Sequence, residues 1–212
     1  MFTITNGIFA MQIIGAAAFA LTGAIVGIRN NLDVFGVCIM GITTAVGGGV
    51  VRDVILGQFP PEMFINPIYA LIGLGASLVI FIPSVRTFIQ GEGYFITVCD
   101  AIGLGIFTVV GAEKALELYG DNYFLAIFVG VMTGVGGGLL RDIFSREVPI
   151  VFRKNIYATA SIACGLTYIS SMRLMEASTV QAMIISMGTI IFIRLIAHIY
   201  DLNLPKVNDE KE

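Results

Sequence analysis

Charge is what this sequence has least of: Asp, Glu, Lys and Arg make up 13% of its 212 residues, where a soluble domain carries roughly 25%. With 57% hydrophobic residues and a mean hydropathy of +0.90, that shortfall excludes an ordinary soluble domain. The N-terminus, Met1-Phe2-Thr3-Ile4-Thr5-Asn6-Gly7, has no basic residue. It lacks the charged start of a cleaved signal peptide, so the first apolar block reads as a retained helix. No basic stripe is present to bind nucleic acid. The three cysteines, Cys38, Cys99 and Cys164, fall in three different apolar blocks and read as small buried packing residues. His198 stands alone, and no Cys/His spacing suggests a metal site. No nucleophile and base, cofactor loop or soluble domain emerges, so the sequence does not read as an enzyme and implies no cofactor. A proton relay through Asp100 stays open.

What is present is a series of apolar blocks long enough to cross a bilayer, about 20 residues each. Seven spans are predicted, at about 8–28, 33–56, 64–82, 94–112, 122–144, 154–171 and 179–199, with boundaries good to about four residues. Asn30-Asn31, Pro60-Pro61, Pro83-Ser84 with Gly91-Glu92-Gly93, and Gly120-Asp121-Asn122 mark connections. All are too short for a folded soluble domain. One side of the membrane would hold Arg29, Arg86, Arg146, Arg153, Lys154, Lys206 and Lys211, with Arg194 near the last helix end. The other would hold Lys114 and Arg173. Basic residues favour the cytoplasmic side, which predicts an external N-terminus and a cytoplasmic C-terminus.

The strongest organisational signal is an internal repeat. Gly41-Ile-Thr-Thr-Ala-Val-Gly-Gly-Gly-Val-Val-Arg-Asp53 recurs, 89 residues on, as Gly130-Val-Met-Thr-Gly-Val-Gly-Gly-Gly-Leu-Leu-Arg-Asp142. The match extends to Pro60 and Pro149, and to Asn66 and Asn155. With a one-residue slip it takes in Tyr69 and Tyr157, and backward it reaches Gly23-Ala24 and Gly111-Ala112. The predicted architecture is an all-α membrane protein of one domain. Repeat one covers about 8–82 and repeat two about 94–171, followed by a seventh helix at about 179–199 and a short tail over 200–212. Three spans per repeat put the second copy into the membrane from the opposite side. Such inverted repeats are a recurring architecture for moving solutes.

Gly47-Gly48-Gly49 and Gly136-Gly137-Gly138 fall in the middle of spans two and five. Each glycine costs a helix interior about 1 kcal/mol relative to alanine. Three in a row read as a hinge or pore-lining break, whose freed carbonyls must face protein or a water-filled cavity. The other reading is close helix packing, the role that suits Gly23/Gly27 and Gly130/Gly134. A phosphate loop is excluded, because no Lys-Ser/Thr follows. If the glycines form kinks, leucine at Gly48 or Gly137 cripples transport while assembly survives.

Arg52-Asp53 and Arg141-Asp142 follow one turn later. Charges within spans usually face a cavity or an opposite charge. Helix neighbours point about 100° apart, so cross-repeat pairs, Arg52 with Asp142 or Arg141 with Asp53, are one expectation. Placement at the helix ends, reaching the interface, is the other. Asp100, inside span four and matched by Gln12 in span one, is a candidate to attract a cation or bind a proton. Glu113-Lys114 read as a solvated helix end. Thr43, Thr44 and Thr133 would supply hydroxyls to a pore or simply pack.

Two linked Gly-Gly-Gly-x-x-Arg-Asp signatures, in a duplicated three-helix unit followed by a seventh helix, resemble the trimeric intracellular cation channel family. The resemblance is closer to its bacterial and archaeal members, also described as glycine transporters, and covers about residues 5–200. It implies a homotrimer with a pore in each subunit, passing monovalent cations, chiefly potassium and also sodium. It also implies that Gly47, Gly48, Gly49, Gly136, Gly137 and Gly138 shape that pore, and that Arg52 and Arg141 occupy motif positions. Animal members carry a lysine-rich cytoplasmic tail, where this sequence has about a dozen residues with Lys206 and Lys211, and a different motif on span two, so their tail regulation and lipid-headgroup binding are not expected to carry over. Membrane lipid remains the surrounding partner. Three functions are weighed: a cation channel first, a secondary transporter of a small solute such as an amino acid second, and a non-transporting scaffold third. For the transporter, helix N-termini beyond the glycines would hold a carboxylate. The scaffold requires both glycine runs to pack dry.

Overall fold

In a computed structural model the described residues are 2–85, 93–153, 156–200 and 202. Arg86, Gly91-Glu92, Lys154, Asn155, Lys206 and Lys211 therefore lie outside them, as do the side chain of Arg153 and nearly all of the tail. Every regular element among the described residues is helical. The helices are α1 (Phe2–Arg29), α2 (Val34–Ile55), α3 (Glu62–Ile65), α4 (Ile68–Val79), α5 (Gly93–Tyr119), α6 (Tyr123–Phe144), α7 (Ile150–Arg153), α8 (Ala158–Leu174) and α9 (Thr179–Ile199).

Five segments, Gly7–Arg29, Val34–Ile55, Tyr94–Tyr119, Tyr123–Phe144 and Thr179–Ile199, are long and apolar enough to cross a membrane. The expected spans three and six are shorter helices, α4 with 12 residues and α8 with 17. At 1.5 Å per residue they reach about 18 and 26 Å, less than the roughly 30 Å of hydrocarbon. Pro67 is the reason for the first. It separates the single turn α3 from α4, where the Asn66 side chain accepts from Ile68 N at 3.3 Å. The fourth expected span is longer than read. The α5 helix continues to Tyr119, whose hydroxyl donates to Leu56 O at 3.0 Å beyond the end of α2.

Local signals explain the boundaries. Asp33 caps α2 by accepting from Gly36 N at 2.7 Å, and Asn122 caps α6 by accepting from Leu125 N at 3.1 Å. Ser178 and Gln181 form a reciprocal capping box on α9. The repeated sequences end alike. Gln58 N bonds to Asp53 O at 2.8 Å and Glu147 N to Asp142 O at 2.9 Å. The left-handed residue of each stop is Gly57 (φ 67°) in one copy and Arg146 (φ 59°) in the other. Glycine takes that conformation freely, while an L side chain there costs about 1 kcal/mol.

The core is a group of four helices, α1, α2, α5 and α6. Against it α4 packs on α1 and α2, α8 packs on α6 and α5, and α9 covers α5 and α8. Close approach depends on glycine. A Cβ on Gly23 would lie 2.6 Å from Met40 O, and Cβ atoms on Gly130 and Gly134 would lie 2.6 and 2.8 Å from Thr108 O and Leu104 O. These glycines thus pack α1 on α2 and α6 on α5. Cys38, Cys99 and Cys164 are buried and free.

The triple glycines sit where α2 crosses α6, and both helices run unbroken through them. The expectation of an unwound segment with freed carbonyls is corrected: the backbone of both runs stays helical. A Cβ on Gly48 would overlap the carbonyl oxygen of Thr133, and one on Gly137 would overlap that of Thr44. Each middle glycine thus seats on the backbone of the other helix. Gly49 has no atom within 4 Å of where its Cβ would be. The leucine expectation is revised accordingly, because even alanine at Gly48 or Gly137 disturbs the crossing. Gly48→Ala and Gly137→Ala will each lower stability by about 1–3 kcal/mol, whereas Gly49→Ala will be neutral or stabilising by up to about 1 kcal/mol. Thermal melting of the purified protein in detergent gives the comparison. Equal shifts at Gly48 and Gly49 would contradict it.

Candidate functional site

Both Arg-Asp pairs lie in the last turns of the glycine helices, and all four residues are buried. An arginine in an apolar bundle must find charged or polar partners. Arg52 donates from Nε to Asp53 Oδ1 at 2.8 Å and from Nη2 to Glu62 Oε2 at 2.7 Å. The second oxygen of Asp53 accepts from Glu62 N at 2.8 Å, pinning the chain beyond Pro60-Pro61. Glu62 is the exposed member, with 44% of its side chain accessible.

The second copy repeats this scheme with different partners. Arg141 donates from Nε to Asp142 Oδ1 at 2.9 Å, and Asp142 Oδ2 accepts from Ile150 N at 2.8 Å. Nη1 of Arg141 donates to Asp100 Oδ1 and to Thr22 Oγ1, each at 3.0 Å. Asp100 in turn holds Arg194 of α9, Nη2 to Oδ2 at 3.4 Å. The Arg194 guanidinium lies 4.6 Å over the ring of Tyr157, a favourable cation–π arrangement. Arg141 and Asp100 are both 1% exposed.

Neither expected cross-repeat pair forms: Arg52 does not meet Asp142, nor Arg141 Asp53. Each arginine binds its own neighbour instead. Neighbouring Cβ atoms diverge on a helix, but the long arginine stem folds back far enough for Nε to meet the adjacent carboxylate. Both arginines do lie at the helix ends, where, at 5% and 1% exposed, they are covered by protein. Arg194 is likewise buried and ion-paired, so it is not a surface charge of the helix end. Glu113 accepts from the Tyr168 hydroxyl, and only Lys114, paired with Glu117 at 3.4 Å, behaves as a solvated helix surface. Thr44 and Thr133 turn their hydroxyls back onto Met40 O and Val129 O, at 2.7 and 2.6 Å.

Glu62, Thr22, Tyr157 and the pairing role of Arg194 escaped sequence reasoning. Only Tyr157 carried a signal, its match to Tyr69. That match is informative: Tyr69 donates to Gln12, the residue matched to Asp100. In the other copy Tyr157 Oη and Asp100 Oδ1 flank Gly138, where a Cβ would sit 3.0 and 3.8 Å from them.

The two ends differ in access. A cavity of about 480 Å³ opens beside Arg52, Glu62, Gln12 and Tyr69, bordered also by Glu113 and Glu117. A narrower space of about 40 Å³ is lined by Arg52 and Gln12 together with Val46, Gly49, Val50 and Phe107. Phe107 stacks on Phe19, ring centroids 5.5 Å apart. Gly49 thus borders space while Gly48 and Gly137 pack, so the first glycine run is not packed throughout.

The pairing predicts unequal sensitivity. Asp142→Asn removes the Nε partner of Arg141 and leaves Arg141 and Arg194 sharing Asp100 alone, and will cost about 3–5 kcal/mol, the usual penalty for removing one member of a buried ion pair. Glu62→Gln, at a half-exposed carboxylate, will cost about 1 kcal/mol or less. Melting temperatures of the two variants test this, and a larger loss for Glu62→Gln would contradict it.

The chain is similar to proteins of known sequence and structure. The family model described as Glycine transporter matches residues 9–84 and 97–173. A UPF0126 membrane protein of Vibrio cholerae is 36% identical over 202 residues, 95% of this chain and 83% of that protein. A solved TRIC cation channel is 34% identical with a TM-score of 0.85, covering 96% of this chain and 98% of that one. The TRIC trimeric intracellular cation channel orthologue from Rhodobacter sphaeroides is 31% identical with a TM-score of 0.82, covering 92% of this chain and 98% of that one. In sequence across both repeats and in fold over nearly its whole length, the chain belongs to the trimeric intracellular cation channel family, as a prokaryotic member.

Proposed function

We propose that this protein is a channel for monovalent cations, chiefly potassium and also sodium, with a pore inside each subunit of a homotrimer. The observation that carries this reading is the polar cavity at the end of α2. It is lined by Arg52, Glu62 and Gln12, and the space reaching Gly49 shares Arg52 and Gln12 with it, inside a bundle of helices long enough to span a bilayer. The likeness to solved cation channels supports it. The path runs from that cavity along Gly49, past Phe107 and Phe19, to the cluster of Asp100, Arg141 and Asp142. All six glycines of the two runs shape it, Gly48 and Gly137 by setting the helix spacing and Gly49 by leaving room.

In this reading the chain is one membrane domain in which α1–α4 and α5–α8 are oppositely inserted repeats and α9 is a seventh span. The short α4 and α8 cross the bilayer together with the segments that flank them. The basic-residue bias supports an external N-terminus and a cytoplasmic C-terminus in a prokaryotic plasma membrane, which places the open cavity outside and Asp100 toward the cytoplasm.

A transporter of a small solute is the second reading. It is favoured by one observation, that one end of the path is open and the other is closed by buried ion pairs. Single-channel recording in planar bilayers with a potassium gradient separates the two. A channel gives discrete openings whose reversal potential follows the gradient. Solute-dependent flux without unitary current would support the transporter. Gly49→Leu should cut unitary conductance severalfold without harming assembly, because no atom lies within 4 Å of where a Cβ on Gly49 would be. Unchanged conductance would move the pore elsewhere.

A further inference from the structure

The two ends of the proposed path share one electrostatic scheme, an arginine serving two carboxylates. Arg52 serves Asp53 and Glu62, and Arg141 serves Asp142 and Asp100. Taken alone, each cluster carries one more negative charge than positive. Among the described residues only the second receives another guanidinium, Arg194, from α9, which lies outside the repeated units. That addition makes the Asp100 cluster neutral and occupies the second oxygen of Asp100. Among the described residues the first cluster has no such guanidinium cap, and it borders the open cavity, which Lys114 also lines.

We propose that Arg194 is a specificity-determining residue: it masks Asp100, and its withdrawal exposes the carboxylate that holds a cation at the α6 end of the path. This inference rests on the channel reading above. Three features support it beyond the charge count. The Arg194–Asp100 contact, at 3.4 Å, is longer than the 3.0 Å contact of Arg141 with the same carboxylate, so it is the looser of the two. In the same position Arg194 also lies over the face of Tyr157, so the pairing with Asp100 is not the sole anchor of its guanidinium. Finally, α9 is the least enclosed of the long apolar helices, with 33% of its apolar window buried against 50–72% for the others. It is the helix that shifts with the least loss of packing. An uncompensated carboxylate in a narrow, low-dielectric path concentrates cations and repels anions far more strongly than one in water.

The test is single-channel recording of the full-length protein in planar bilayers under a potassium chloride gradient, comparing wild type with Arg194→Gln, Arg194→Lys and the double variant Asp100→Asn/Arg194→Gln. Arg194→Gln is expected to raise the cation-over-anion permeability ratio by about tenfold, the lower end of electrostatic focusing by a like-charged cleft, and to increase open probability. Arg194→Lys keeps the charge and should retain the wild-type ratio. The double variant should lose the gain, because the unmasked carboxylate is gone. An unchanged ratio in Arg194→Gln, or a gain that persists in the double variant, overturns the proposal. If Arg194→Gln does not assemble, Asp100→Asn carries the test. It leaves two guanidinium groups against Asp142 and should reduce potassium current about tenfold, and wild-type current there overturns the proposal. Wild type passing no current defeats the channel reading itself, and this inference with it. Wild-type current with an unresponsive Arg194 defeats the inference alone.

Discussion

Two helices can meet backbone to backbone only where neither carries a side chain, and the crossing of α2 and α6 depends on that constraint. Gly48 seats on the carbonyl of Thr133 and Gly137 on that of Thr44, so the same positions of the repeat contribute to both sides of the contact. Membrane helices gain little from hydrophobic association, and close packing of small residues takes over that role. The crossing then fixes everything at the ends of these helices. It sets where Arg52 and Arg141 emerge, and it leaves the Gly49 face of α2 beside open space instead of against a neighbour.

The second constraint is the cost of burying charge. Each arginine is satisfied by the aspartate that follows it, and that aspartate uses its other oxygen to hold the chain beyond the helix, at Glu62 N or Ile150 N. The Arg-Asp motif therefore ties helix to loop as well as neutralising a guanidinium. The copies diverge in what completes each cluster, with Thr22 an added partner of Arg141. A half-exposed glutamate completes one end beside a cavity, and a deeply buried aspartate shared with α9 completes the other. One architecture thus presents one cluster beside a cavity and one buried cluster.

Much of the fold was legible in the sequence because the repeat is nearly literal. The two copies of Gly-Gly-Gly-x-x-Arg-Asp fold into matching helices with matching stops. The limits of α4 were not legible from hydropathy, since Phe64 and Ile65 continue the apolar run and only Pro67 divides it. The glycine runs were open to two readings, and the sequence held no way to see that one glycine of a run packs while the next faces space. That depends on which direction each points at a crossing. The cluster around Arg141 was legible in part, through Asp100 and Asp142. Thr22 and Arg194 come from helices far along the chain, and Glu62 sits in a loop whose path is set by a hydrogen bond to Asp53. Pairing the arginines across the repeats failed because it considered the four motif residues without the other groups that converge on them.

The central claim, that the path runs along the glycine face of α2 and is open from the Glu62 end, is tested most directly by thiol accessibility. In protein whose native cysteines are replaced, Gly49→Cys and Gly138→Cys are treated with a charged, membrane-impermeant thiol reagent applied to either side of a bilayer. The account predicts rapid modification and block of current at position 49 from the side of Glu62. At position 138, flanked by Tyr157 and Asp100, it predicts protection from that side. A cysteine at 49 that stays unreactive from the Glu62 side while the protein conducts would contradict it.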